Sequence, residues 1–199
     1  MTAGSRERFV EASAYLLEVA AEVASDQWSL PALGEWSVRD LLGHASRALS
    51  TVTEYLGQPA ERAELTAAGY LVAASGADRA AIAARGREAA VALGDDPVAQ
   101  LRAVAAAAAS AVAGADDDAL VGTRAGGMRL DDYLPTRTVE LVVHGLDLAA
   151  AIGSRATPPS GALGEVLHLL VDAACAQGRG VELCRALTGR SAAPVVVLA

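Results

Sequence analysis

Lysine is missing from this 199-residue chain; every one of its 16 basic residues is an arginine. With the heavy alanine content this reads as the coding bias of a GC-rich genome, and no mechanism hangs on it. Basic residues are also outnumbered: 24 carboxylates leave a formal net charge of −8. That balance excludes nucleic acid as a partner, because phosphate recognition needs a basic face. Cysteine is scarce. Cys175 and Cys184 stand alone, in a spacing that fits neither a zinc ribbon nor a redox pair, and are expected to be buried reduced thiols of a cytosolic protein. No leader is evident, since Met1–Val10 is polar and charged. No uncharged apolar run reaches the roughly 18 residues that a membrane helix needs. The expectation is a soluble, cytoplasmic protein with no membrane partner. At this length it forms one domain over 1–199, with 181–199 as a C-terminal appendage.

What is present centres on Arg137–Asp147. Val139, Leu141, Val142, Val143, Leu146 and Leu148 cover most of a helix circumference, as expected inside a bundle. The polar exceptions cluster: at about 100° per residue, Arg137, Glu140, His144 and Asp147 fall within an arc of about 80°. Glu140 and His144 are i, i+4 neighbours whose heads can converge. A carboxylate and an imidazole in an apolar interior are costly unless paired or bound to a metal.

The remaining pattern is mainly helical. A first helix is expected over Ser5–Ala24 and a loop over Ser25–Leu33. A second helix runs to Leu56, with Ser37 as N-cap, Asp40 near a capping box and Trp36 with Leu41 as a hydrophobic staple. Gly57-Gln58-Pro59 breaks it. Shorter helices are expected near Glu61–Ala68 and Asp78–Leu93. A long one starts at Asp96-Pro97 and ends near Gly114. Asp116-Asp117-Asp118 lacks EF-hand spacing, so a solvated loop outweighs a cation site. Val121–Leu130 is an irregular connector with room for a short extended piece. Asp131 or Asp132 is expected to cap the central helix, with Pro135 in its first turn. After a loop over Gly153–Gly161 come helices over Ala162–Gln177 and Val181–Leu187, then an extended tail, Pro194–Leu198, docked on the body.

Two of the three histidines, His44 and His144, lie on helices that read as buried. With Glu140 they offer two imidazoles and one carboxylate from two helices, which is how bundle cores build metal sites. Such a set suits zinc with an open fourth position, and equally non-haem iron or nickel. Spacing alone leaves a plain Glu140–His144 hydrogen bond in the core as the rival. His168, with apolar neighbours and Asp172 at i+4, reads as core or groove packing, and is the candidate fourth ligand if a metal is held.

The segments Leu33-Gly-Glu-Trp-Ser-Val-Arg-Asp-Leu-Leu-Gly-His44 and Arg137-Thr-Val-Glu-Leu-Val-Val-His-Gly-Leu-Asp147 resemble the two motifs of the mycothiol-dependent maleylpyruvate isomerase-like proteins. These belong to the DinB/YfiT-like superfamily of metal-binding four-helix bundles. Leu183–Arg190 resembles the end of many members. The resemblance implies a mainly all-α, DinB-like four-helix bundle with a short extended C-terminal tail. It implies His44, Glu140 and His144 as ligands of a divalent metal, taken to be zinc, and a homodimer. It also implies a low-molecular-weight thiol such as mycothiol, whose sulfur the metal activates for attack on a small electrophile. Loss of the thiol after bond rotation gives isomerisation, and retention gives a conjugate. Arg137 would anchor a carboxylate of thiol or substrate as a bidentate fork, or else form an ion pair with Asp132 or Asp40. Asp147 would accept the second N–H of His44 or His144, or else form a helix-terminal salt bridge. The isomerases carry a substantial C-terminal α/β domain, whereas fewer than fifty residues follow Gly153 here. The expected activity is therefore thiol transfer or isomerisation in general rather than maleylpyruvate isomerisation itself. The alternative is a non-enzymatic metal-binding or ligand-sensing bundle, or a helical interaction module without metal.

Overall fold

The structure, a computed structural model, describes residues 4–76 and 78–197. Among them are eight helices: α1 Ser5–Ala21, α2 Val38–Leu56, α3 Ala67–Ala74, α4 Arg79–Ala92, α5 Pro97–Gly114, α6 Leu130–Ile152, α7 Ser160–Ala176 and α8 Gly180–Leu187. Two antiparallel hairpins join them, β1 Pro31–Leu33 with β2 Trp36–Ser37, and β3 Leu120–Thr123 with β4 Gly126–Arg129. The fold is mainly helical and consistent with a DinB-like bundle. Helix α6 packs against α1 and α2, and α5 packs against the same two. Around these four lie α4, on α2, and α7, on α6 and α3.

Local chemistry sets the ends of the elements. Ser37 and Asp40 close a reciprocal capping box: the Ser37 hydroxyl accepts from the Asp40 N–H at 3.2 Å, and the Asp40 carboxylate accepts from the Ser37 N–H at 3.1 Å. Asp96 caps α5, with Pro97 at its first position. Gly153 ends α6 in the left-handed region, φ 75°, which glycine occupies without penalty. Helix α5 alone among the described residues has the length and hydropathy of a membrane span. Its buried face, with Leu101, Ala105, Ala108 and Val112, turns toward the bundle. The extended tail is tied down: the Gln177 amide donates to the Val197 carbonyl at 3.2 Å, and the Arg179 guanidinium to that of Val196.

Several boundaries differ from expectation. Helix α1 stops at Ala21, and the loop after it folds into the β1–β2 hairpin. The short third helix begins six residues late, at Ala67 behind an N-cap at Thr66. The preceding residues are diverted along the β3–β4 hairpin. The Gly122 N–H donates to Gln58 O at 2.8 Å, and the Glu64 N–H donates to Gly127 O at 2.8 Å. Gly122 and Gly127 make this approach possible, because a Cβ at either would overlap the Gln58 or Arg62 carbonyl. Helix α6 starts at Leu130 without a side-chain cap. Asp131 and Asp132 sit inside its first turn, where they complement the helix dipole, and Pro135 is the sixth helical residue.

Candidate metal centre

Three side chains from two helices meet at one point. The capping box fixes where α2 starts and so aims His44, seven residues on, at the face of α6 that carries Glu140, His144 and Asp147. Glu140 Oε2 lies 3.5 Å from His44 Nε2 and 3.3 Å from His144 Nε2. All three candidate ligand atoms fall within 4.8 Å of one another. Ligand atoms at the corners of a tetrahedron around zinc, with bonds of about 2.0–2.1 Å, stand about 3.3–3.4 Å apart. The two carboxylate–imidazole separations match that spacing. The imidazoles meet edge to face, with centroids 4.8 Å apart and planes at 84°. Their side chains are 17% and 15% exposed and that of Glu140 28%, so the centre is enclosed yet reachable from solvent.

The two histidines are supported differently. His144 Nδ1 faces Asp147 Oδ2 at 3.2 Å. That bond makes Nδ1 the protonated nitrogen and leaves the Nε2 lone pair for a cation. His44 has no such partner. Its Nδ1 is sealed from solvent and unbonded, as is Nε1 of Trp36. The His44 ring is held by packing instead. The Trp36 indole lies over it at 4.6 Å between centroids, 34° from parallel. Gly86 of α4 closes the far side, where a Cβ would meet His44 Cβ and Trp36 Cζ2 at 3.4 Å each. Trp36 thus makes a stacking contact on the candidate ligand His44.

Protonation is strongly coupled at the centre. Burial disfavours a charged His144, yet Asp147 and Glu140 outweigh it and raise its pKa to about 9. Burial likewise disfavours the Glu140 carboxylate, but bonds from His144 and His44 hold its pKa well below the usual carboxylate range. His144 thus stands between the carboxylates of Glu140 and Asp147, at 3.3 and 3.2 Å, and both favour its charged form.

Arg137 lies one turn before Glu140 and is only 8% exposed. It pairs with neither Asp132 nor Asp40. Its guanidinium carbon sits over the rings of Tyr133, at 4.8 Å, and Tyr70, at 5.3 Å. Its Nε–H donates to Thr136 Oγ1 at 3.1 Å. Tyr133, wholly buried, donates its hydroxyl to Thr51 Oγ1 at 2.9 Å.

Other candidates fall away. His168 is exposed on α7 and its Nδ1 bonds the Gly164 carbonyl at 2.7 Å, so it is neither core nor ligand. Cys175 and Cys184 are free and exposed rather than buried: the inward face of α7 belongs to Ala162, Val166, Leu169 and Ala173, and α8, which carries Cys184, buries none of its residues. The Asp116–Asp118 run is a surface turn whose Asp116 and Asp117 carbonyls accept from Arg6 and Arg129. Among the described residues, His44, Glu140 and His144 form the one group placed to hold a metal. Sequence reasoning missed Trp36 as the support of His44, although it stands eight residues ahead in the same motif. It also missed Tyr70, which carries no local signal and arrives from α3.

These features define a class: a helical bundle with a two-histidine, one-carboxylate candidate metal centre. The chain belongs to the mycothiol maleylpyruvate isomerase N-terminal domain family, whose profile matches residues 9–149. That span includes both motifs, the whole centre and Arg137. No curated protein and no solved structure matches the chain at a significant level.

Proposed function

We propose that the protein is a metal-dependent thiol transferase or isomerase, acting on a small electrophile with a low-molecular-weight thiol such as mycothiol. The observation that carries this reading is the convergence of Glu140 Oε2 with both imidazole Nε2 atoms, in a centre that stays partly open. His44, Glu140 and His144 would hold the cation, for which zinc suits the donor set. When bound, such a cation lowers the pKa of a coordinated thiol, so that a nucleophilic thiolate forms at neutral pH. Asp147 holds the His144 tautomer that presents Nε2. Trp36 packs on the His44 ring, and Gly86 lets α4 approach both. Chemically, the thiolate sulfur forms a bond to carbon as a C=C π bond breaks, and the displaced electron pair moves onto a conjugated carbonyl oxygen. Expulsion of the thiolate after rotation gives an isomer. Protonation of the adduct from solvent gives a conjugate.

The test is a thiol-conjugation assay on zinc-loaded protein, with mycothiol and glutathione against activated alkenes and epoxides. The proposal expects thiol consumption above the uncatalysed rate, lost in His44→Ala. An uncatalysed rate with both thiols and every acceptor, on protein that demonstrably holds one zinc, would assign the centre to ligand sensing or structure instead.

A further inference from the structure

Away from the metal centre, one carboxyl group is carried into the seam between three helices without a partner for its charge. Glu165 lies on the inward edge of α7. At about 100° per residue it stands about 60° from Ala162, on the face that also buries Val166 and Leu169. Its Oε2 is sealed from solvent and unbonded. The cation that faces it is Arg8 of α1. Gly161, one turn earlier on α7, leaves the room that the Arg8 guanidinium occupies, since a Cβ there would overlap it. Helical side chains lean back over the preceding turn, so Glu165 reaches toward that guanidinium. Arg8 is nevertheless committed elsewhere. Its Nη1 donates to both carboxylate oxygens of Glu11 at 2.8 Å, and no hydrogen bond or ion pair joins it to Glu165. The other neighbours offer no charge. Helix α6 presents the Thr138 hydroxyl, whose proton is directed at the Leu134 carbonyl 3.2 Å away, and α3 contains no charged residue. On α7 itself, His168 is exposed and turned to the Gly164 carbonyl. One arginine thus serves two carboxyl groups, and the buried one goes without.

A sealed carboxylate without bonds is costly, whereas the neutral acid avoids most of that cost. Burial accordingly pushes the Glu165 carboxyl up, against the pull of Thr138 and Arg8, and Glu11 adds to the push. Helix α7 packs on α6 and α3, and α3 carries Tyr70, the ring beside Arg137. Whatever loosens α7 therefore loosens the α3 side of the candidate centre.

We propose that Glu165 is a proton-operated latch on α7: as the neutral acid it seats α7 on α1 and α6, and as the carboxylate, with Arg8 held by Glu11, it loosens α7 and the α3 helix packed on it. The latch is independent of the thiol chemistry. Its sign follows from linkage. The seated form binds the proton more tightly than the loosened one, so seating is firmest at low pH and weakens as pH rises from the ordinary carboxyl value of 4.5 through the raised one.

Hydrogen–deuterium exchange of the full, metal-free chain tests the latch, read at about pH 5 and about pH 8 and corrected for the intrinsic pH dependence of exchange. Protection of α7 and α3 should fall several-fold at the higher pH, while α5, packed on α1 and α2, keeps its protection. Glu165→Gln retains the shape without the charge and should hold the high protection at both pH values. Glu11→Gln frees Arg8 to turn to Glu165 and should blunt the change. Wild-type protection of α7 that does not vary with pH overturns the proposal. So does a change that survives intact in Glu165→Gln, which would assign it to other groups, or one undiminished in Glu11→Gln. Should Glu165→Gln fail to fold, the Glu11→Gln comparison decides alone.

Discussion

At the residue scale, one proton and one metal compete for the same space. The Asp147 and Glu140 carboxylates beside His144 outweigh its burial and raise its pKa to about 9, and a metal at Nε2 must displace that proton. Two outcomes follow. Zinc binding at pH 7 should release close to one proton from His144, measurable by titration in buffers of different ionisation enthalpy, and affinity should climb with pH until about 9. A pH-independent affinity over that range would contradict that displacement. The metal-free protein should respond in the opposite sense. Because the folded pKa of His144 lies above its unfolded value of about 6.5, its contribution to stability is fully present below pH 6.5 and lost as pH rises through about 9. Unfolding curves of the metal-free protein at pH 6 and pH 9.5, set against the same pair for His144→Gln, isolate that contribution.

The ligands' supports are unequal, and this too is testable. Asp147→Ala removes the acceptor that fixes His144 and should cost about 10–100-fold in metal affinity with the fold intact. Trp36 supports His44 through stacking alone. Trp36→Phe should therefore retain most of the affinity, whereas Trp36→Ala should lose roughly tenfold. Fluorescence titration of wild type with Co²⁺ should quench Trp36, which lies against the ring. Equal affinity in the alanine and phenylalanine variants would show that the stack does not orient the histidine.

At the scale of elements, the centre depends on how closely helices approach. Gly43 lets α4 lie directly on α2: a Cβ there would overlap the backbone of Ala90. Gly43→Val should destabilise the fold by about 1–3 kcal/mol through overpacking, read by urea unfolding, and should weaken metal binding by displacing Gly86 from His44. What was legible in the sequence follows the same division. The N-cap Ser37, the Asp96-Pro97 start and the polar arc on α6 are local signals, and each element appeared where they pointed. Helix α3 was misplaced because the residues before Thr66 are recruited by the β3–β4 hairpin, a pairing between segments about sixty residues apart that no local pattern encodes. Cys175 was misjudged for a related reason. Helix α7 is apolar on more than one side, and only its packing on α6 and α3 selects the alanine–valine–leucine face for burial.

At the scale of the whole molecule, the family match over residues 9–149 spans both helices that carry the candidate centre. The Glu140–His144 pair was readable from its i, i+4 spacing, whereas the joining of His44 to it rested on the resemblance of the two motifs to the family. Their mutual distance was not readable, since it depends on how α2 crosses α6. Nor was the aromatic enclosure of Arg137, built by Tyr133 from α6 itself and Tyr70 from α3. The ion pair with Asp132 or Asp40, one of the two roles open to Arg137, does not form: Asp40 is engaged with Ser37, and the guanidinium lies against Tyr133 and Tyr70.

The central claim is that His44, Glu140 and His144 close around one divalent cation. Elemental analysis of purified, metal-reconstituted protein alongside His44→Ala tests it with the fewest assumptions, folding of the variant being checked by circular dichroism. The account predicts one zinc per wild-type chain and a large loss in the folded variant. Equal metal content in the two proteins, or none in the wild type after reconstitution, would contradict it.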